Sequence, residues 1–131
     1  MADARRVLIV EDEPSENEFL ALTARGLGFA VDCAFDGPSA LEMAAKARPD
    51  LVLLDALLPK LDGFAVLAEL RQKHPNVPVI MMSGIYKKRS YEADALRLGA
   101  CAYLVKPLSV VAIWELLVEK LTKNHGAASF H

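Results

Sequence analysis

Four short apolar runs of this chain end in side chains that can do chemistry. They are carboxylates, a hydroxyl and an ammonium, at Glu11, Asp12 and Glu13, at Asp55, at Ser83 and at Lys106. Carboxylates that converge repel one another and raise their own pKa values unless a cation lies between them. Mg²⁺ prefers oxygen ligands, and it typically takes one or two carboxylates together with waters and phosphate oxygens. If the four run ends meet in space, they form a site for a divalent cation and a phosphoryl group.

The elements that must position these residues are short strands alternating with helices. Strands are predicted at residues 7–10, 29–35, 51–54, 79–82 and 102–105. Helices are predicted at residues 39–46, 64–73, 89–98 and 110–121, preceded by a first helix that Pro14 and Ser15 begin and Gly26 and Gly28 end. Such alternation is typical of an α/β domain with a doubly wound parallel sheet. The carboxyl ends of its strands share one edge, where ligands bind.

Two of the helices are expected to turn apolar stripes toward the sheet. On the first helix the stripe is Phe19, Leu20, Leu22 and Leu27. On the last helix it is Val110, Ile113, Trp114, Leu117, Val118 and Leu121.

Composition narrows the class of protein. The chain has 131 residues, of which 53% are hydrophobic and 24% charged, and this indicates one folded domain. A net charge of −2 argues against nucleic-acid binding by bulk electrostatics. No apolar run approaches the roughly 18 residues that span a bilayer, and no signal-peptide pattern begins the chain. Cys33 and Cys101 make no disulfide framework, and a reducing cytoplasm is the expected compartment. If the strand order that the resemblance below implies is correct, the two cysteines lie on opposite edge strands and cannot pair.

The motifs at the run ends resemble the receiver domain of two-component response regulators, over about residues 5 to 122. The resemblance rests on VLIVEDEP at residues 7–14, LDALLP at 54–59 with DG at 62–63, MSG at 82–84, and GA at 99–100 followed by YLVKP at 103–107. It implies the flavodoxin-like fold of the chemotaxis regulators, with strand order 2-1-3-4-5. Residues 123–131 are expected to be a flexible tail or the start of a linker.

The resemblance also implies a role for the acidic residues. Asp55 would take a phosphoryl group from the phosphohistidine of a histidine kinase. Mg²⁺, for which Mn²⁺ could substitute, would be held by Asp12, by Asp55 and by the backbone carbonyl of Leu57, with Glu11 acting through water. The chain would then catalyse only its own phosphorylation and dephosphorylation.

The remaining implied roles concern switching. Ser83 and Lys106 would contact the phosphoryl oxygens, and Tyr103 would change rotamer as Ser83 moves toward the phosphate. A static, half-buried Tyr103 with its hydroxyl in water is the alternative. The partners would be a sensor histidine kinase or phosphotransfer protein and a downstream protein or fused output domain. A phosphorylation-dependent homodimer is a further expectation, whereas direct contact with nucleic acid or membrane is not expected.

Two other functions stay open from the sequence. A hydrolase with an aspartyl-phosphate intermediate commonly carries a second aspartate two residues after the nucleophile, but Leu57 stands there and cannot transfer protons. A constitutive protein-protein adaptor with a non-signalling pocket is the other alternative. A nucleotide-binding fold is disfavoured because no glycine-rich fingerprint follows the first strand.

Two departures from the family pattern lie close to the expected pocket. Ser83 and Lys106 are 23 residues apart, one more than the commonest family spacing, and the extra residue is expected within residues 85–91. Gly84 stands where alanine is more usual, which would open access to the phosphate or loosen the loop.

Overall fold

The structure is a computed structural model that describes residues 5–84 and 89–126. Strands and helices alternate along the chain. The strands are β1 (Arg6–Val10), β2 (Ala30–Ala34), β3 (Leu51–Asp55), β4 (Val79–Ser83) and β5 (Ala102–Val105). The helices are α1 (Pro14–Gly26), α2 (Gly37–Lys46), α3 (Gly63–Lys73), α4 (Arg89–Arg97) and α5 (Val110–Gly126). The predicted α/β architecture is confirmed.

All strand pairs in the sheet are parallel, in the order β2-β1-β3-β4-β5. The strand order implied by the resemblance is therefore confirmed. Every residue of β3 and of β4 is buried, because helices cover both faces of a doubly wound sheet. The register pairs Val10 with Leu54 and Asp55 with Met82, so the residues that follow β1 emerge level with the end of β3.

Two apolar cores lie on the two faces of the sheet. Alternate strand residues point to opposite faces, so Leu8 and Val10 enter one core while Val7 and Ile9 enter the other. The first core holds buried residues of α2, α3 and α4, and the second holds buried residues of α1 and α5. The helices thereby cover both faces of the sheet, and the site lies at its carboxyl edge.

The predicted inner face of α1 is partly wrong. Leu20 is buried as expected, but Phe19 is 41% exposed and Leu22 is 60% exposed. The face against the sheet consists of Asn17, Leu20, Ala21 and Ala24. Alanines at helical spacing let α1 approach the sheet closely. The helix is therefore rotated about its axis so that its alanines face the sheet and Phe19 and Leu22 lie at its sides.

The apolar stripe of α5 is narrower than predicted. Ile113, Leu117 and Leu121 are buried, whereas Val110 is 51% exposed and Val118 is 38% exposed. The helix also continues to Gly126, beyond its predicted end. The side chain of Trp114 lies outside the described part of the structure, so its place in the stripe stays a prediction.

Several other sequence expectations can be compared with the structure. Cys33 lies on edge strand β2 and Cys101 directly precedes β5 at the opposite edge, and both thiols are free. Gly28, just after α1, has φ +96°, a left-handed conformation that glycine adopts readily at a helix end. The extra residue was expected within residues 85–91, and of these residues 85–88 lie outside the described ranges. Within those ranges no helix combines the length and apolarity that crossing a bilayer requires.

Candidate functional site

Three carboxylates converge at the carboxyl edge of the sheet. Glu11 and Asp12 follow β1, Asp55 ends β3, and each offers an oxygen within 4.8 Å of the others. Glu11 and Asp55 are buried, at 1% and 5% exposed, while Asp12 faces solvent. The structure thus brings together the three acidic side chains that the resemblance assigns to the metal site.

Lys106 lies at the centre of this acidic group. Its Nζ is 2.5 Å from Glu11 Oε1 and 2.9 Å from Asp55 Oδ2. Its backbone N–H donates to the Ser83 carbonyl at 2.9 Å, and its peptide bond to Pro107 is cis. Lys106 therefore reaches both β1 and β3 from the loop that follows β5, as the sequence predicts.

A third carboxylate on Lys106 was not predicted from the sequence. Glu16, in the first turn of α1, places Oε1 2.7 Å from the Lys106 Nζ. Its position three residues after Glu13 could have indicated that it turns back toward the strand ends. That signal is weak, because an acidic residue in the first helical turn is common whatever its neighbours.

Burial and charge shape the protonation of the site. Burial and, to a smaller extent, the hydrogen bond with Asp55 raise the pKa of Glu11 from 4.5 to about 7, although the hydrogen bond with Lys106 acts in the opposite direction. For Lys106, burial alone would lower the pKa, but hydrogen bonds to Glu11, Glu16 and Asp55 outweigh it and raise the pKa. Lys106 therefore stays positively charged, whereas burial and then the neighbouring Asp55 carboxylate favour the protonated form of Glu11.

The loop after β3 holds the Asp55 side chain in place. Asp55 Oδ1 accepts a hydrogen bond from the Leu57 N–H at 3.0 Å. Gly63 packs so tightly that a Cβ there would lie 2.3 Å from the Asp55 carbonyl oxygen and 2.7 Å from Ala56 Cα. Asp62 caps α3 by accepting from Phe64 N–H at 2.8 Å. Asp62 and Gly63 thus let α3 begin in direct contact with the backbone of Asp55.

Two hydroxyls near the site are buried without hydrogen-bond partners among the described residues. They are the Ser83 Oγ at the end of β4 and the Tyr103 Oη on β5. The alternative in which the Tyr103 hydroxyl reaches water is therefore wrong for this structure. A buried hydroxyl without a partner is unfavourable by about 1–3 kcal/mol, which is more typical of a site that binds a ligand than of a core.

The described donor set fits Mg²⁺. Its side-chain donors are all carboxylate oxygens, two of them buried, and hard oxygen ligands suit Mg²⁺ rather than zinc. Ser83 adds a hydroxyl that has no partner in the described structure and Lys106 adds a cation, the groups that a phosphoryl oxygen requires. The contribution of the Leu57 carbonyl stays a prediction.

A cleft of about 440 Å³ opens beside Lys106, between α1 and the loop that follows β5. Its walls are formed by Ser15, Glu16, Phe19, Leu20, Gly84, Lys106, Pro107 and Leu108. The exposed ring of Phe19 is explained by this cleft, since it forms part of one wall. A Cβ at Gly84 would lie 3.2 Å from Lys106 Cδ, so the lysine stem passes close over the glycine.

Comparison with known families gives a match over most of the chain. The sequence model of the family described as "Response regulator receiver domain" matches residues 7–118. The regulatory protein AtoC of Escherichia coli is 36% identical over 110 residues, covering 84% of this chain and 24% of AtoC. A probable transcriptional regulator, ycf27 of Guillardia theta, is 40% identical over 123 residues, covering 94% of this chain and 48% of ycf27. The chain thus spans less than half the length of these curated relatives.

Solved structures with the same fold include other receiver domains. A receiver domain protein (CheY-like) from Methanospirillum hungatei has a TM-score of 0.91 at 26% identity, covering 95% of this chain and 99% of that one. The receiver domain of NtrX from Brucella abortus has a TM-score of 0.83 at 32% identity, covering 88% of this chain and 97% of that one.

Proposed function

Because the chain belongs to the response regulator receiver domain family, we propose that it is a phosphorylation-controlled switch whose phosphoacceptor is Asp55. The observation that carries the proposal is the position of Lys106, whose ammonium lies 2.9 Å from the Asp55 carboxylate at the carboxyl edge of the sheet. The unit that acts in this way is residues 5–122.

The proposed step is a phosphoryl transfer between two side chains. A carboxylate oxygen of Asp55 attacks the phosphorus of a phosphohistidine, an O–P bond forms, and the N–P bond breaks. The leaving imidazole nitrogen keeps the bonding electrons and is protonated by solvent. Lys106 neutralises charge on the phosphoryl oxygens, and Ser83, whose hydroxyl has no partner within the described structure, donates a hydrogen bond to one of them.

Glu11, Asp12 and Asp55 would hold Mg²⁺, with the Leu57 backbone carbonyl as a further ligand. When bound, Mg²⁺ supplies positive charge against the phosphoryl oxygens, which phosphoryl transfer requires. Mn²⁺ could substitute, because it accepts the same oxygen donors.

The proposed switch uses the two buried hydroxyls. Ser83 Oγ gains a partner when the phosphoryl group arrives, and the movement frees space into which the Tyr103 ring turns. Both hydroxyls lack partners in the described structure, so each can gain a hydrogen bond without breaking one. A differential interaction of a few kcal/mol is enough to shift such a two-state population.

The proposed partners follow from this chemistry. A sensor histidine kinase or a phosphotransfer protein supplies the phosphoryl group in the cytoplasm. A downstream protein, a fused output domain or a second phosphorylated copy of the chain reads the switched state. The chain itself contacts neither nucleic acid nor membrane.

Mass spectrometry of the intact protein tests the proposal. With Mg²⁺ and acetyl phosphate, wild type should gain the mass of one phosphoryl group, and chelation of Mg²⁺ should prevent the gain. Asp55→Asn should not be labelled, whereas Asp94→Asn, the same chemical change on the surface of α4, should be labelled like wild type. Wild-type labelling of Asp55→Asn would contradict the proposal. A labelled protein with unchanged oligomeric state and partner affinity would instead favour the constitutive adaptor.

A further inference from the structure

Lys106 has no spare hydrogen-bond donor within the described structure. An ammonium carries three N–H donors. Glu11, Glu16 and Asp55 each place an oxygen within hydrogen-bonding distance of its Nζ, at 2.5, 2.7 and 2.9 Å. A phosphoryl oxygen can bind Lys106 only if one of these carboxylates gives up its contact.

The carboxylate that gives way most easily is Glu16. The side chains of Glu11 and Asp55 are 1% and 7% exposed, so separating either from Lys106 would leave a buried charge without its partner. The Glu16 side chain is 49% exposed, and water can replace Lys106 as its partner. Half-exposed ion pairs of this kind are weak, because solvent screens them and competes for both groups.

The backbone of Glu16 is fixed at a place from which its side chain can reach Lys106. Its backbone N–H donates to the Glu13 carboxylate at 3.2 Å at the beginning of α1. Its side chain forms part of the wall of the cleft beside Lys106. A small phosphodonor that enters through this cleft therefore passes a carboxylate that lies 2.7 Å from the ammonium.

We propose that Glu16 is an internal competitor of the phosphoryl group for Lys106, and that it lowers the affinity of the site for small anionic phosphodonors. The inference rests on the proposed phosphoacceptor function. Glu16 acts through Lys106 and is therefore a positioning residue. Its carboxylate occupies the third donor of Lys106 in the resting protein and moves into solvent when the phosphoryl group binds.

Equilibrium binding of a phosphoryl analogue tests the inference without requiring turnover. Beryllium fluoride would be titrated in the presence of Mg²⁺ into wild type, Glu16→Gln, Glu16→Asp and Glu18→Gln, with calorimetric detection. Glu18 lies on the same helix, is exposed and makes no ion pair among the described residues, so it is the matched charge control. Thermal unfolding checks that all four proteins are folded.

Both Glu16 variants should bind the analogue about two- to fivefold more tightly than wild type, the range that the loss of a solvent-exposed ion pair allows. Glu16→Asp keeps the charge but is one methylene too short for the contact, so it separates contact from general repulsion. Glu18→Gln should bind like wild type. Labelling rates with acetyl phosphate should rise in the same order.

Three results would overturn the inference: equal effects of Glu16→Gln and Glu18→Gln, wild-type binding by Glu16→Asp, or no tightening in either Glu16 variant. Each of them leaves the phosphoacceptor function standing as long as wild type is labelled at Asp55. Wild type that neither binds the analogue nor becomes labelled would contradict the phosphoacceptor function itself.

Discussion

Asn17 donates a hydrogen bond from its side-chain nitrogen to the main-chain oxygen of Glu11, 2.9 Å away. The same nitrogen donates to the main-chain oxygen of Ala34 at 3.1 Å, and Asn17 is fully buried. One amide on α1 therefore joins the ends of β1 and β2 at the point where the acidic loop begins. The position of Glu11 at the site depends on this contact.

Replacing Asn17 with alanine should lower the free energy of unfolding by about 1–3 kcal/mol, because two buried carbonyls lose a donor. Urea unfolding would measure the change. Asn76→Ala, at an exposed turn, should stay within about 0.5 kcal/mol of wild type. Similar small effects of both substitutions would show that the Asn17 amide does not hold the strand ends.

Gly63→Ala should destabilise the protein by about 1–3 kcal/mol, since the added Cβ would meet backbone atoms of Asp55 and Ala56 that cannot move independently. Labelling at Asp55 should fall as well, because relief of the clash displaces the loop after β3. Thermal unfolding and intact-mass labelling would measure the two effects.

The control for Gly63→Ala is Gly26→Ala at the end of α1, where a Cβ would meet nothing within 4 Å. It should raise stability by about 0.4–1 kcal/mol by restricting the unfolded chain. Equal outcomes at the two glycines would argue against a close approach of α3 to Asp55.

Ser83→Ala should leave the free energy of unfolding within about 1 kcal/mol of wild type, or raise it, because the lost hydroxyl has no partner in the described structure. Labelling with acetyl phosphate should nevertheless fall, since a donor to the phosphoryl group is removed. Chemical unfolding together with a labelling time course would measure both properties.

Ser109 provides the contrasting serine. Its hydroxyl accepts from the Ala112 N–H at 3.0 Å at the beginning of α5, so Ser109→Ala should cost about 1 kcal/mol of stability. Labelling of this variant should remain close to that of wild type. A large stability loss in Ser83→Ala would mean that its hydroxyl has a structural partner after all.

Asp36 should make stability depend on acid pH. Hydrogen bonds from the Ser39 backbone and side chain, and the Lys60 ammonium, hold the pKa of Asp36 below its ordinary 3.8. The unfolded chain therefore binds its proton first as pH falls. The stabilisation is fully present above pH 3.8 and is lost as pH falls through the lower, folded-state pKa.

Asp36→Asn isolates this charge effect because asparagine keeps an oxygen that can cap α2. Wild type should be more stable than Asp36→Asn at neutral pH, and the difference in melting temperature should shrink as pH falls well below 3.8. A difference that stays constant over this acid range would show that the charge of Asp36 contributes nothing to stability.

The order of the strands and the chemistry at their ends could be predicted from the sequence. Apolar runs such as residues 51–54 are continuous because both faces of the sheet are covered, and parallel strands bring their carboxyl ends to one edge. Once the strand order was known, Asp55 and Lys106 were therefore expected at the same edge of the sheet. Resemblance supplied that order and the roles of the residues.

Other features were decided only by tertiary packing. The sequence pattern placed Phe19 and Leu22 against the sheet, but the rotation of α1 about its axis depends on how closely its alanines pack. Asn17 carries no sequence signal of its own and Glu16 only a weak one, since each acts on atoms of another element. The number of carboxylates around Lys106 depends on where a helix and a loop meet, and local sequence periodicity cannot encode that distance.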